Sequence, residues 1–452
     1  MRKWVCWMVL LGLFASAAPA AVSEARVQQL KDLRWGMFVC WSFSTFSGKE
    51  WTPGVSNVNF FQSTEVDTDQ WAKTAKEAEM GYLLFLTKHH DGFCLWDTKT
   101  TDRKVTKAPL GRDVLAEVRK SCDRHGIKLA LYFSEGDWTW EGSVPGRKSG
   151  PNPEMKKAQL KELLTQYGPI EYIWMDHAVG DGGLSHEETV AWCKQFQPDC
   201  FIGFNHGPPA GDIRLGERGK PGPLEAVDAA TIGSEQRAAH MRGYTGYRLA
   251  EFTYPILPNH EGGAQWFYSL PQHDQLVWPA SRLYRDYLGA VKYGNIFSID
   301  VGPDYRGRLR EIDVATLRAV GEMIRHPPPP PPQVKASSVW NAPGFEPELA
   351  VDGALSTRWG AAPDARSGWL EVDLGASGIF RRAVIEEGSW DRVRAFELQY
   401  DAEGTWKTAA AGARIGPRRE LTFSPVTARR FRLLITESAD VPTICEFAVH
   451  GE

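Results

Sequence analysis

Asp176 directly follows a short apolar segment, residues 170–175, and is the first candidate for a reacting group. In a barrel of parallel strands, catalytic side chains collect where the strands end. A carboxylate at such an end can act as a nucleophile or a base, although an Asp in this position can also cap the next helix. Cleavage of a glycosidic bond would require a second carboxyl group to protonate the leaving oxygen.

Four glutamates are candidates for that second carboxyl group: Glu217, Glu235, Glu251 and Glu261. Glu217 is predicted to lie on a long loop after the fifth predicted strand. Glu251 falls within a predicted strand, where a purely structural role is the alternative. Spacing along the sequence does not choose among the four residues.

Two adjacent histidines, His89 and His90, follow the second predicted strand. A neutral imidazole offers one donor and one acceptor, which suits the hydroxyl groups of a sugar. The same pair would suit a metal-dependent hydrolase if His177 and Asp300 joined it. Because neighbouring residues of a strand point to opposite faces, an adjacent pair is a poor chelate. Sugar binding is therefore the favoured interpretation.

Aromatic residues lie beside polar ones at several of these positions, and the chain has 18 Trp. Indole faces pack well on the apolar C–H faces of sugar rings. Glu50 and Trp51 adjoin on the loop after the first predicted strand, and Tyr132 lies near the end of the third. Trp41 and Trp266 are two further candidates for contact with a substrate.

These candidates lie on short apolar segments that alternate with helical patterns. The alternation predicts an α/β fold with a parallel sheet, and about eight units in about 300 residues are typical of a TIM-like barrel. A doubly wound sheet is less favoured, because no glycine-rich phosphate loop follows the first strand. The predicted strands are 36–41, 82–87, 128–133, 170–175, 200–204, 249–253 and 295–300, and the predicted helices are 68–79, 113–125, 153–167, 186–197, 281–293 and 310–325.

The ends of this barrel are marked by composition. Residues 1–20 combine two basic residues, an apolar run and an Ala-x-Ala site, as a signal peptide does. We therefore expect a secreted or periplasmic protein without membrane insertion. Residues 327–332 are six consecutive prolines, which predict a stiff linker between a barrel at 21–326 and a second domain at 333–452.

Charge and cysteine content restrict the function further. The chain has 52 basic and 56 acidic residues, a net charge of −4, which does not indicate a nucleic-acid partner and suits a neutral substrate. Six cysteines follow the signal peptide without a CxxC pair, so a zinc ribbon is disfavoured. Disulfides and buried thiols are both compatible with their wide spacing.

Several sequence blocks, in the right order, resemble glycoside hydrolase family 29, the retaining α-L-fucosidases. The resemblance covers about residues 34–325. The blocks are residues 34–38 with Trp41, Glu50-Trp51, residues 88–93, 131–134 and 172–176, and residues 293–304 with Gly307-Arg308. The chain departs from the family pattern at Cys40, where family members usually carry His, and at His177, where a small residue is usual.

The resemblance implies an exo-acting enzyme that removes terminal fucose from a fucosylated oligosaccharide or glycoconjugate by double displacement, without a catalytic cofactor. It implies Asp176 as the nucleophile. Residues 212–219 are similar to the acid/base loop of the subgroup that acts on α-1,3/1,4-linked fucose, which implies Glu217 as the acid/base. The alternatives are a glycosidase for a fucose-like sugar and a sugar-binding pseudoenzyme. The residues implied to bind fucose are Glu50, Trp51, His89, His90 and Tyr132.

The last 120 residues, 333–452, carry short alternating segments and almost no helical pattern. Residues 349–353, 357–359, 369–375 and 444–447 resemble the discoidin, or coagulation-factor type C, family. The resemblance implies an all-β jelly-roll-like sandwich. Oxygen ligands at Asp352, Thr357 and Glu446 would suit a structural Ca²⁺ ion.

Overall fold

The computed structural model describes residues 22–177, 180, 182–206, 209–219, 221–224, 244–328, 332–342 and 344–451. The predicted signal peptide, candidate Glu235 and residues 329–331 of the proline run lie outside the described residues. The chain divides into two compact units, with the boundary between Ile324 and Arg325. Within the described ranges, no helix is long and apolar enough to span a membrane.

The first unit contains a closed barrel of eight parallel strands that pair in chain order. This confirms the predicted TIM-like α/β fold. Seven strands agree with the predicted segments to within two residues at each end. The strands are β1 (Trp35–Val39), β2 (Tyr82–Lys88), β3 (Lys128–Ser134), β4 (Tyr172–Asp176), β5 (Phe201–Phe204), β6 (Ile213–Glu217), β7 (Leu249–Pro255) and β8 (Ile296–Val301).

Strand β6 corrects the prediction that Glu217 lies on a long loop, because Glu217 is the last residue of this strand. The strand is only five residues long, and it contains Arg214 and Gly216, which are uncommon in a buried strand. The Arg214 guanidinium is accommodated because its Nη1 donates to the carbonyl of Leu224 at 2.6 Å. This contact with a residue ten positions later cannot be inferred from hydrophobic periodicity.

Helices follow most strands on the outside of the barrel. Six of them match the predicted helices to within two residues at each end, whereas α1 and α2 were not predicted. The α-helices in the described part of this unit are α1 (Glu24–Asp32), α2 (Phe43–Ser47), α3 (Thr68–Glu77), α4 (Val114–His125), α5 (Pro153–Gln166), α6 (His186–Phe196), α7 (Ala280–Val291) and α8 (Glu311–Arg325).

The barrel interior explains why its strands are apolar almost throughout. Every residue of β2 is buried, as expected for a strand enclosed on both faces. The Tyr82 ring passes over Gly36, where a Cβ atom would lie 2.4 Å from it. The Tyr82 hydroxyl reaches the Ser298 hydroxyl at 2.7 Å inside the barrel. A glycine on β1 is therefore required by the packing of β2.

The second unit is all-β and antiparallel, as predicted. One sheet has six strands, a second has two, and buried residues of both, including Trp359 and Phe431, form one core. The six cysteines of the described residues, one of them in this unit, are buried thiols without disulfide bonds. The strands are β9 (Gln333–Ala336), β10 (Trp359–Gly360), β11 (Gly368–Glu386), β12 (Val393–Ala402), β13 (Thr405–Gly412), β14 (Arg419–Ser438), β15 (Thr443–Ile444) and β16 (Glu446–Gly451).

Candidate active site

Asp176 is the last residue of β4 and is held by donors from three directions. The Tyr132 hydroxyl donates to Oδ2 at 2.6 Å. The backbone N–H of His177 and Nδ2 of Asn205 donate to Oδ1 at 2.8 and 2.9 Å. A carboxylate with three donors has a fixed orientation, which an attacking group needs.

Glu217 closes the other side of the site at the end of β6. Its Oε2 accepts from Nδ2 of Asn205 at 2.8 Å and lies 3.7 Å from Nε2 of His206. Burial, and then the negative charge of Asp176, raises the pKa of Glu217 to about 7. Glu217 therefore keeps a large protonated fraction near neutral pH, as a general acid requires.

The competing glutamates are placed differently. Glu251 is fully buried inside the barrel, where Nε1 of Trp174 donates to it at 3.2 Å, and it does not line the pocket. Glu261 is exposed on the loop after β7. Among the described candidates, Glu217 is therefore the glutamate that shares a pocket with Asp176.

Three neighbouring strand ends share an unusual backbone feature. His177, His206 and Arg218 each have a positive φ, of 53°, 67° and 54°. Each directly follows a polar residue of the site. The backbone of a residue other than glycine is strained in this conformation. The chain thus turns away immediately after Asp176, Asn205 and Glu217. Such strain at three adjacent strand ends is typical of a functional site.

The carboxyl ends of the strands surround a pocket of about 420 Å³. The Tyr132 ring stacks on Trp174 with 5.4 Å between ring centroids, and Phe38 packs against both rings. The pocket thus combines an apolar wall with polar groups, as small-ligand sites do. The lining residues are Phe38, Cys40, Glu50, Trp51, Leu86, His89, His90, Tyr132, Trp174, Asp176, His206, Glu217, Arg218, Trp266 and Phe267.

His89 and His90 both line the pocket, with 4.1 Å between their ring centroids. The expectation that they point to opposite faces is wrong. They lie beyond Lys88, the last residue of β2, where the pairing with β3 is already irregular. Burial lowers the pKa of both imidazoles well below the usual value. Both rings are consequently neutral at pH 7 and can donate and accept hydrogen bonds.

The tautomer of His90 is determined by the hydrogen bonds of the Ser134 hydroxyl. The Ser134 hydroxyl donates its one hydrogen to the carbonyl of Gly136 at 2.6 Å. It must therefore accept the 2.7 Å hydrogen bond from Nδ1 of His90. In the neutral ring this leaves Nε2 of His90 as an acceptor, 3.6 Å from Oδ2 of Asp176. A substrate hydroxyl can donate to this nitrogen.

The alternative metal set of His89, His90, His177 and Asp300 does not come together around one ion in the described part of the chain. Among the described residues, the group whose ligand atoms could surround one ion is His89, His90 and Asp176, within 4.8 Å of one another. Asp300 is instead fully buried beside Cys40, and burial raises its pKa well above the usual value. The oxygens of Asp176 already serve hydrogen-bond donors. The arrangement thus favours a carboxylate that reacts over one that binds a metal.

Glu50 connects two loops at the pocket. Its Oε2 accepts from the backbone N–H groups of Gln265 and Trp266 at 2.9 and 3.4 Å. Burial raises its pKa. Trp51 is 54% exposed at the rim and is available to a ligand. Trp266 also lines the pocket, with the guanidinium of Arg218 5.5 Å from its ring.

Trp41 is the one predicted substrate-contact residue that the structure places outside the pocket. It is fully buried, packs against Phe61 and Trp71, and donates through Nε1 to the carbonyl of Asp304 at 3.0 Å. Its neighbour Cys40 lines the pocket instead. The prediction that Trp41 contacts substrate therefore does not match its position.

Several lining residues were missed in the sequence. Trp174 lies two residues before Asp176 on β4, so strand alternation could have assigned it to the same face. Phe38 has the same relation to Cys40. Arg218 and Phe267 carry no such signal, because they follow strands in loops of irregular conformation. Asn205 follows the fifth predicted strand, but nothing in the sequence distinguishes it from other polar residues at strand ends.

The predicted calcium ligands lie in the second unit and are close together. The Thr357 hydroxyl contacts both oxygens of Asp352 at 2.9 Å. Glu446 accepts from the backbone N–H of Gly353 at 3.0 Å. Burial, and then the charge of Asp352, raises the pKa of Glu446 to about 7. A divalent cation would relieve this repulsion, so these oxygen donors fit Ca²⁺.

Known families match both units of the chain. The α-L-fucosidase family model matches residues 41–326, more than half of the chain. The chain belongs to the α-L-fucosidase family. It is therefore a glycoside hydrolase, and the resemblance to family 29 is confirmed. The F5/8 type C domain matches residues 333–448, which confirms the discoidin-like domain of this fucosidase.

Individual relatives cover nearly the whole chain. Alpha-L-fucosidase 1 of Arabidopsis thaliana is 28% identical over 92% of this chain and 85% of its own. A putative alpha-L-fucosidase structure from Bacteroides thetaiotaomicron is 25% identical, with a TM-score of 0.57 over 97% of this chain and 99% of its own. A Ruminococcus gnavus GH29 fucosidase in complex with fucose is 22% identical, with a TM-score of 0.54 over 96% of both chains, and shares the fold.

Proposed function

We propose that this fucosidase is exo-acting and retains the anomeric configuration of the released fucose. The observation that supports this proposal is that Asp176 and Glu217 both accept a hydrogen bond from Nδ2 of Asn205, at 2.9 and 2.8 Å. Their nearest oxygens therefore cannot be further apart than the sum of these distances. Retaining glycosidases place the two carboxyl groups roughly 5–5.5 Å apart, and inverting ones roughly 6.5–9.5 Å apart. The shared nitrogen thus favours the retaining class.

The proposed reaction has two steps. In the first, Asp176 attacks the anomeric carbon, the bond to the leaving oxygen breaks, and Glu217 gives its proton to that oxygen. This forms a fucosyl ester on Asp176. In the second, Glu217 removes a proton from water, which attacks the same carbon and releases Asp176. The proton on Glu217 is restored, and no metal is required.

The pocket also supports the proposed substrate class. Neutral His89 and His90, together with Glu50, offer donors and acceptors to the hydroxyl groups of one sugar. The stacked rings of Tyr132 and Trp174 provide an apolar wall for the sugar's C–H groups and for the methyl group of fucose. A pocket of about 420 Å³ at the strand ends suits a single terminal sugar, which is consistent with exo action. Residues 212–219 resemble the acid/base loop of the subgroup that acts on α-1,3/1,4-linked fucose, and we assign this linkage to the substrate.

A panel of nitrophenyl glycosides with one common leaving group tests the substrate. We expect turnover of the α-L-fucoside and a kcat/KM at least roughly 100-fold lower for the α-L-rhamnoside, which presents its hydroxyls differently to the buried polar groups. The linkage is tested by fucose release from an α-1,3/1,4-branched trisaccharide against an α-1,2 disaccharide. Fucose binding without turnover of any fucoside would indicate a sugar-binding pseudoenzyme instead.

The pH dependence follows from Glu217, whose pKa is raised to about 7. Its protonated form is the active acid, so we expect kcat/KM to fall tenfold per pH unit above about 7. The substrate in this measurement must be an oligosaccharide. A good leaving group needs little protonation, so its rate would not report the titration of Glu217. A basic limb near pH 4.5, the ordinary value for Glu, would contradict the assignment of Glu217.

We further propose that a Ca²⁺ ion bound by Asp352, Thr357 and Glu446 stabilises the second unit and has no part in catalysis. In calorimetry of the full chain, Ca²⁺ at about 100-fold above its Kd is expected to raise one unfolding transition by several degrees. Asp352→Ala should abolish this shift. A chelator should leave kcat/KM of Asp352→Ala unchanged. Loss of activity with the chelator in this variant would instead indicate a catalytic metal.

Export is proposed from residues 1–20 alone. Expression in a bacterial host with a secretion pathway should give a mature chain that begins after Ala20. Intact-mass measurement of the exported protein checks this cleavage. A full-length chain retained in the cytoplasm would contradict it.

A further inference from the structure

Asn205 occupies a position that the two-carboxyl mechanism does not itself explain. It follows β5 directly, and its backbone N–H continues the strand pairing by donating to the carbonyl of Met175 at 2.7 Å. Its side chain is fully buried between the ends of β4 and β6. The next residue, His206, has a φ of 67°. The backbone therefore fixes where the Asn205 amide points.

The amide of Asn205 is used asymmetrically. Its nitrogen lies 2.9 Å from Asp176, 2.8 Å from Glu217 and 3.0 Å from Nε2 of His206. Its oxygen is buried and has no hydrogen-bond partner among the described residues. The opposite orientation would bring the amide oxygen against two carboxyl groups, which would be repulsive when either is ionised. An unpaired buried oxygen has an energetic cost. The site accepts this cost and keeps the contacts of the amide nitrogen.

The two contacts of the Asn205 amide with the carboxyl groups can be related to the negative charge that moves between them in the two-step reaction. Before the first step the negative charge lies on Asp176, and Glu217 carries the proton. In the fucosyl-enzyme Asp176 is an uncharged ester, and the negative charge lies on Glu217. An NH₂ group with one hydrogen directed at each carboxyl group can stabilise the charge in both states without moving.

We propose that Asn205 is a positioning residue that stabilises the negative charge on whichever of the two carboxyl groups bears it and so couples their proton states. This inference rests on the proposed retaining mechanism. Tyr132 differs from Asn205, because its hydroxyl donates to Asp176 alone. The two residues therefore form a matched pair, in which one donor serves both carboxyl groups and the other serves one.

The decisive variant is Asn205→Leu, which keeps the side-chain shape and removes the donor. Without that donor the ionised form of Glu217 is disfavoured. We expect the basic limb of kcat/KM to move up by about one pH unit and kcat to fall roughly 100- to 1,000-fold. Tyr132→Phe should also lower kcat but leave the basic limb in place. The charged or titratable groups around Glu217 that both variants retain are Asp176, His206, Arg218, Glu50 and Glu251.

Two further measurements separate the proposed role of Asn205 from misfolding and from loss of activity. Thermal unfolding of each variant establishes that it is folded, and Asn205→Ala replaces Asn205→Leu if the latter is not. A ¹³C NMR titration of the Glu217 carboxyl group, compared with a Glu217→Gln spectrum for assignment, gives the same shift without turnover. If wild type hydrolyses no fucoside, the proposed function fails, and the titration still decides on Asn205.

An unchanged basic limb and an unchanged Glu217 titration in a folded Asn205 variant would overturn the inference, even if kcat fell. An equal shift in Tyr132→Phe would also overturn it, because the effect would then not depend on the bridging donor. A shift confined to the Asn205 variants is the result that the inference requires.

Discussion

Asp176→Ala is expected to lower kcat on a nitrophenyl α-L-fucoside by roughly 10⁴-fold. The reason is that both steps of the proposed reaction pass through this carboxylate. Three donors hold it at the end of β4, including the Tyr132 hydroxyl at 2.6 Å. A good leaving group cannot replace the nucleophile, so the loss should be nearly as large with an activated substrate as with an oligosaccharide. Steady-state rates of nitrophenol release measure it.

A chemical rescue separates a nucleophile from a structural residue. Sodium azide can occupy the space left by the Asp176 side chain and attack the anomeric carbon in its place. We expect azide to restore part of the rate in Asp176→Ala and to give β-fucosyl azide, with inverted configuration. Asp199→Ala removes an exposed carboxylate and is the matched control, with wild-type rates. Wild-type activity in Asp176→Ala would contradict the assignment.

Glu217→Gln is expected to show the second large effect, and the size should depend on the leaving group. An oligosaccharide leaves as a poor leaving group that needs a proton, so kcat/KM should fall roughly 100- to 10,000-fold. Nitrophenol leaves readily without a proton, so kcat/KM on its fucoside should fall less than about 10-fold. The second step still lacks its base, and the fucosyl-enzyme should accumulate with a burst of nitrophenol.

Glu251→Gln is the control for this experiment. Burial raises the pKa of Glu251 to about 7 as well, yet this residue lies inside the barrel below Trp174. The Glu251→Gln variant should therefore lose no more activity on the oligosaccharide than on the nitrophenyl fucoside. Equal losses on both substrates in Glu217→Gln, or leaving-group dependence in Glu251→Gln instead, would reassign the acid.

The elements of the barrel could be predicted wherever an element is long and buried. Strand β2 is apolar in most positions, and α4 begins at a capping Asp113 and ends before Gly126, so both were found. Strand β6 was not, because five residues containing Arg214 and Gly216 have no distinctive periodicity. Its pairing with β5 and β7 is tertiary, and this pairing makes the segment a strand.

The site could be predicted in composition but only partly in geometry. Polar residues at strand ends indicated Asp176 and His90, and both residues line the pocket. Strand alternation failed for His89 because the chain leaves the ladder at Lys88. The role of Asn205 could not be inferred, since it depends on how the ends of three strands meet.

We expect fucose to become covalently bound to Asp176 during turnover. A 2-deoxy-2-fluoro-α-L-fucosyl fluoride can trap this intermediate. Fluorine at C2 slows both steps, and the fluoride leaving group accelerates only the first, so the intermediate accumulates. Mass spectrometry of the treated enzyme should show one added fluorofucosyl unit on the peptide that contains Asp176. A unit attached to another carboxylate, or loss of activity without any added mass, would contradict the account.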